Sequence, residues 1–277
     1  MNLRAALACL FLSLAAACSV ADPAARKVEA DAMANEARLL PLTIETASFD
    51  LYARIRTTGA TDRLTVYIEG DGFAWKRTNE ISADPTPLNP VALHLAAADP
   101  SPAVAWLARP CQFTGGLTAR GCADTFWTEA RYGETVIAAM NEAVDELKAQ
   151  TGAAKLDLVG YSGGGTVAAL LALRRDDIAT LRTVASPLDT DAFTSVHGVS
   201  RLSSSLNPAE NAPALATLPQ IHYAGEDDEI VPAEINRRFL ARMGESRCTA
   251  LVTLPDMDHH DWAEIWPSLM ARMPACR

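Results

Sequence analysis

The chain has 277 residues, 49% hydrophobic and 21% charged. That composition excludes disorder, collagen-like repeats and low-complexity architecture, and it leaves apolar material for a sizeable core. Lys and Arg total 24 against 34 Asp and Glu, a formal net charge of −10 with no basic run, which argues against nucleic acid as a partner.

Residues 1–17 (MNLRAALACLFLSLAAA) place Arg4 before an apolar run at 5–14 and then small residues. This is the plan of a secretory signal peptide, too short and wrongly flanked to span a bilayer. Cys18 follows, and a small-residue run ending at a cysteine resembles a bacterial lipoprotein signal. The resemblance implies lipidation of Cys18 and a periplasmic or outer-membrane location. Residues 15–17 also read as an ordinary A-x-A cleavage site, which would leave a soluble secreted protein. Residues 18–40, Ala-rich and charged, are expected to form a tether, with the folded domain running from 41 to 277.

Within that domain, residues 49–56 (FDLYARIR) alternate with the period of a half-buried strand. Residues 64–68 (LTVYI) predict a second strand, followed at once by Glu69-Gly70-Asp71-Gly72, and residues 104–107 a third. A helix is expected over 128–150, with Val136, Met140, Val144 and Leu147 on one face and Gly152 as its stop. Residues 156–160 predict a buried strand and 166–174 a helix. Further strands are expected at 178–185, 221–224 and 250–254, and helices at 233–243 and 261–273. Alternating strands and helices imply an α/β fold: a mostly parallel sheet with helices on both faces and ligands at the strands' C-terminal edge. Residues 187–219 break the pattern with four prolines and a serine run, and are expected to form a lid-like insertion.

Six cysteines are present. Cys9 falls in the signal and Cys18 at the lipidation position, leaving Cys111, Cys122, Cys248 and Cys276. An oxidising compartment favours pairing them. Cys111 and Cys122 bracket a Gly-rich loop, so they are expected to bond to each other and Cys248 to Cys276. Neither C-x-x-C nor H-x-H spacing occurs, so no metal site is expected.

The chemistry concentrates at residues 156–165 (LDLVGYSGGG), where Gly160-Tyr161-Ser162-Gly163-Gly164 satisfies G-x-S-x-G between strand and helix. A sharp turn there strains Ser162, excludes side chains at 160 and 164, and sets the hydroxyl at a helix N-terminus. The same glycines fit G-x-G-x-x-A, but no acid ends the next strand as a dinucleotide site requires. No cofactor is expected.

Residues 64–266 resemble the α/β-hydrolase family, whose order is serine, then an acid after a late strand, then histidine after the last strand. Gly225-Glu226-Asp227-Asp228-Glu229-Ile230-Val231-Pro232 looks like the family's G-x-x-D-x-x-V-P loop, which implies Asp228 as the acid with Asp227 as its near neighbour. The base then lies in the loop at 255–262. His259 is favoured over His260, although Asp258 replaces the family's usual Gly before it. Tyr67–Phe73 looks like the family's oxyanion turn with Glu69 in place of His, implying Asp71 and Gly163 N–H groups as oxyanion donors. Of the other histidines, His94 and His222 read as packing residues, and His197 sits in the lid-like stretch. Trp75 is the best candidate for a substrate wall.

The resemblance implies a serine hydrolase acting on a small-molecule ester, thioester or amide. The alternative is a non-catalytic envelope lipoprotein that uses the fold for binding.

Overall fold

The computed structural model describes residues 22–277, so the expected signal at 1–17, with Cys9, and the expected lipidation position Cys18 lie outside the described residues. The main sheet contains β1 (Leu40–Glu45), β2 (Asp50–Thr57), β3 (Arg63–Ile68), β6 (Ala103–Leu107), β7 (Lys155–Tyr161), β8 (Ile178–Val184), β9 (Gln220–Gly225) and β10 (Thr249–Leu254). A separate hairpin joins β4 (Trp75–Arg77) and β5 (Glu80–Ile81). The strand order is β1-β2-β6-β3-β7-β8-β9-β10. Pairing is antiparallel across β1, β2 and β6, and parallel from β6 through β10.

Because side chains alternate across a strand, the sheet builds two cores. Leu64, Val66 and Ile68 of β3, with Leu156 and Leu158 of β7, pack into one. That core also takes the apolar stripe of α3 (Glu134–Thr151) and residues of α4 (Gly163–Ala172) and α6 (Ala233–Met243). Tyr67, Val159 and Tyr161 join the other, which is covered by α1 (Pro23–Glu36), α2 (Val91–Ala98) and α7 (Trp262–Met270). Trp262 and Trp266 are fully buried there, and truncating side chains of this size costs about 3–5 kcal/mol.

Two expectations are corrected. Residues after Asp22 are not a free tether: Asp22 caps α1 by accepting from Ala24 N at 2.9 Å, and Ala30 and Ala34 bury against the sheet. This helix docks through small alanines and through Asp31, which receives the Tyr52 hydroxyl at 2.6 Å and pairs with Arg54. Such contacts leave no strong apolar period in the sequence. The helix expected over 128–150 starts instead at Glu134, because residues 124–127 form a 3₁₀ turn and Gly133 stands extended at the helix start. That delay turns Arg131 and Tyr132 toward the C-terminal edge of the sheet. Residues 187–219, which supply Pro187 and Phe193 to the cleft described below, also pack on the domain. They form α5 (Thr190–Val196) and a 3₁₀ helix (Pro208–Leu215) whose Ala209, Ala212 and Leu215 join the first core.

Both expected cysteine pairs are bonded, Cys111–Cys122 and Cys248–Cys276. The second ties the C-terminal residues to the start of β10. Such bonds fit an oxidising, extracytoplasmic compartment. Replacing either pair by alanines is expected to cost about 2–4 kcal/mol in denaturant unfolding, and non-reducing peptide mapping should recover both linkages. Four free thiols in protein produced in an oxidising compartment would contradict this. Among the described residues, no helix is long and apolar enough to cross a membrane.

Candidate active site

Ser162 sits between the last residue of β7 and the first of α4, with φ 48° and ψ −126°. An L-residue holds that conformation only where its surroundings over-determine it. Here Ser162 N donates to Val184 O at 2.8 Å, and Gly165 N donates to Ser162 O at 3.0 Å. The flanking glycines allow the turn to close: a Cβ on Gly160 would meet Gly164 O at 2.3 Å, and one on Gly164 would meet Ile68 O at 2.2 Å.

Two loops bring polar side chains to this serine. His259, after β10, places Nε2 3.1 Å from Ser162 Oγ and Nδ1 2.8 Å from Asp228 Oδ2. Asp228, after β9, is buried, and its Oδ1 accepts from Ile230 N at 2.9 Å and Val231 N at 2.7 Å. Asp227, Glu226 and Glu229 are exposed. His260 is exposed as well, with Nδ1 3.4 Å from the Tyr161 hydroxyl. The His259 carbonyl accepts from Tyr161 Oη at 3.0 Å and Trp262 Nε1 at 3.1 Å, which fixes the backbone behind the ring. Asp258, where the resemblance leads one to expect Gly, accepts from His260 N at 2.7 Å and Asp261 N at 3.1 Å and so closes the loop with its own carboxylate.

On the other side of Ser162 runs the turn after β3. A Cβ on Gly70 would lie 3.3 Å from Ser162 Cβ, so the Gly70–Asp71 backbone passes directly against the serine. The Asp71 and Gly163 N–H groups donate to no acceptor among the described residues. Both nearby carboxylates are engaged. Asp71 Oδ1 accepts from Arg109 Nη1 at 3.1 Å, and Oδ2 from Arg131 Nη1 at 2.9 Å and Tyr132 Oη at 3.0 Å. Burial alone would raise the Asp71 carboxyl, but the two guanidiniums hold it below the usual carboxylate range.

Glu69 points into the second core, 1% exposed, where it accepts from Gly70 N at 2.9 Å, Trp106 Nε1 at 3.0 Å and Ala92 N at 3.4 Å. Burial pushes its carboxyl from 4.5 up to about 7 against the pull of those donors. The neutral acid therefore persists in the folded protein where the unfolded chain has already lost its proton. Stability from this group is complete below pH 4.5 and is lost as pH rises through about 7. Glu69→Gln cannot titrate, so wild type should lose roughly 3 kcal/mol relative to it across that window and then hold level. Denaturant unfolding over pH measures this, and a constant difference would contradict it.

The remaining candidates separate clearly. His222 is fully buried between Thr183 Oγ1 at 2.8 Å and Gln220 Oε1 at 3.0 Å, and desolvation lowers its imidazole to about 3. His94 lies half-buried on α2. His197 donates from Nε2 to Ile230 O at 2.8 Å and packs at a tilt against Phe193, and it does not line the cleft that these two residues wall. Among the described residues, no group of His, Cys, Asp or Glu is placed to hold a metal ion.

Ser162 and His259 open into a cleft of about 400 Å³ whose walls include Phe73, Trp75, Leu88, Phe193, Ile230 and Val231. Trp75, 42% exposed, stands at its rim, and Arg131 brings a cationic group to it. Arg131, Arg109, Tyr132 and the Tyr161 hydroxyl were not legible as site residues. Only Tyr161, inside the pentapeptide, carried a signal.

No family model matches the sequence, and no curated protein is significantly similar to it. Solved structures do match. An α/β serine hydrolase of Xanthomonas campestris described as lacking a lid is 18% identical, covering 86% of this chain and 96% of its own, with a TM-score of 0.55. An esterase of Pyrococcus furiosus is 14% identical, covering 85% and 90%, with a TM-score of 0.59. The esterase domain of a Rhodothermus marinus protein is 17% identical, covering 83% and 95%, with a TM-score of 0.55. The fold is that of the α/β-hydrolases. At these identities the likeness establishes architecture, and chemistry must be argued from the side chains.

Proposed function

We propose that this protein is a serine hydrolase that cleaves a small-molecule acyl ester through a covalent acyl-enzyme. The observation that carries the reading is the hydrogen-bonded chain from Ser162 Oγ through His259 to Asp228, at 3.1 and 2.8 Å, with the serine on a strained turn. His259 Nε2 takes the Ser162 proton as Oγ attacks the carbonyl carbon. Asp228 holds Nδ1–H and stabilises the imidazolium. The Asp71 and Gly163 N–H groups receive the oxyanion, which is why both are free of other acceptors and why Asp71 must keep its own charge on the arginines. Collapse expels the alcohol, protonated by His259, and water repeats the sequence on the acyl-enzyme to release the acid.

The similarity to esterases supports esters over thioesters and amides. The two disulfides and the signal-like leader support export, and lipidation of Cys18 would hold the enzyme at a membrane. A panel of chromogenic esters, thioesters and anilides of graded acyl length tests the activity. Saturable turnover of esters is expected. Inertness across the panel would favour the non-catalytic binding protein. Release from the membrane fraction by Cys18→Ser would support the anchor, and a wild type already soluble would support simple cleavage.

A further inference from the structure

The cleft pairs its apolar walls with a polar lining that includes Asp71, Asn89, His260 and one guanidinium, that of Arg131. Arg131 lines the cleft beside Ser162, with its side chain 15% exposed. Its Nε donates to Thr128 O at 2.6 Å and its Nη1 to Asp71 Oδ2 at 2.9 Å, which locks the guanidinium plane. Its Nη2 has no acceptor among the described residues. Asp71 cannot neutralise the cluster alone, because its single negative charge is shared with Arg109, whose Nη1 lies 3.1 Å from Oδ1. Tyr132 adds an uncharged hydroxyl. Within this cluster two guanidiniums face one carboxylate, an excess of one positive charge on the Arg131 side of the cleft, while the Asp228 carboxylate lies on the other side of Ser162 behind His259, in a protein whose overall charge is −10. The overall charge does not cancel this locally, since exposed charges beyond about 10 Å are largely screened at ordinary ionic strength.

We propose that Arg131 is a specificity residue that selects esters carrying an anionic oxygen group, such as a carboxylate, which accepts from its Nη2. This rests on the serine hydrolase reading above and deepens it by naming the substrate class. A preorganised guanidinium suits this role, because it presents fixed donors and loses little freedom on binding. The apolar walls then hold the uncharged remainder of the substrate, and a fixed polar group among them sets orientation.

The test pairs each anionic ester with the neutral ester that carries hydrogen in place of the carboxylate, with the spontaneous hydrolysis of each subtracted. Mono-4-nitrophenyl glutarate against 4-nitrophenyl butyrate places the carboxylate on the acyl side. 4-Acetoxybenzoate against phenyl acetate places it on the alcohol side. In at least one pair, wild type is expected to favour the anionic ester by about 10- to 100-fold in kcat/KM, carried mostly by KM, the worth of one charge-assisted hydrogen bond. The pair that shows the preference identifies the side of the scissile bond that Arg131 faces. Arg131→Met should bring the ratio to about one, and Arg131→Lys should keep part of it. Asp71 retains Arg109 and Tyr132 in both variants, and thermal unfolding checks that they fold. If Arg131 only positioned Asp71, both esters of a pair would slow together and the ratio would survive. Turnover of neutral esters with no anionic preference, or a ratio unchanged in both variants, overturns this inference alone. Failure to turn over any ester overturns the hydrolase reading and this inference with it.

Discussion

Ser162→Ala is expected to lower kcat by ~10⁴–10⁶ in ester hydrolysis while the protein stays folded. The residue is a single hydroxyl on a turn whose shape is set by backbone hydrogen bonds and close-packed glycines, so removing Oγ leaves the turn in place. His259→Ala should fall by a similar amount, because the two groups act as one unit. The double variant should then be scarcely worse than either single one. His260→Ala should stay within a few-fold of wild type, since its exposed ring bonds neither Ser162 nor Asp228: it lies 3.4 Å from the Tyr161 hydroxyl and edge-on to the His259 ring. Steady-state kinetics on one ester separates these cases. An inactive His260 variant beside an active His259 variant would reject the assignment of the base.

Asp228→Asn should reduce kcat by roughly 10⁴, and the reason lies in the donors around the carboxylate. Oδ1 accepts from the Ile230 and Val231 N–H groups, and Oδ2 faces His259 Nδ1 at 2.8 Å. An asparagine must keep its carbonyl oxygen on the two backbone donors, which turns its NH₂ toward Nδ1. The imidazole is then driven to carry its proton on Nε2, where it can no longer accept from Ser162. Asp227→Asn is the control. Its side chain is exposed and its N–H bonds Met257 O at 3.1 Å, an interaction the amide variant preserves. A large loss at Asp227 with little at Asp228 would reject the acid named here.

The parts of the molecule written in periodicity were legible from sequence. The strand at 64–68, observed as Arg63–Ile68, and the one at 156–160, observed as Lys155–Tyr161, alternate sides so regularly that both cores follow from them. The strained serine turn was legible because three adjacent glycines after a serine have few other uses. What escaped was built from contacts without a period. The docking of α1 depends on alanines and on the Asp31 contacts with Tyr52 and Arg54, none of which forms an apolar stripe. Arg109 and Arg131 lie 38 and 60 residues from Asp71 in the chain, so their convergence on its carboxylate is a property of the fold. The late start of α3 has the same origin: the apolar spacing continues upstream, yet Gly133 and the preceding 3₁₀ turn end the helix there.

The covalent competence of Ser162 is the centre of this account, and an active-site fluorophosphonate reads it without knowledge of the substrate. The purified protein should gain the mass of one phosphonyl group, and peptide mapping should place it on Ser162. Ser162→Ala should gain none, and His259→Ala should label far more slowly than wild type. A wild-type protein left unmodified, or labelled with equal speed at a residue other than Ser162, would contradict the account.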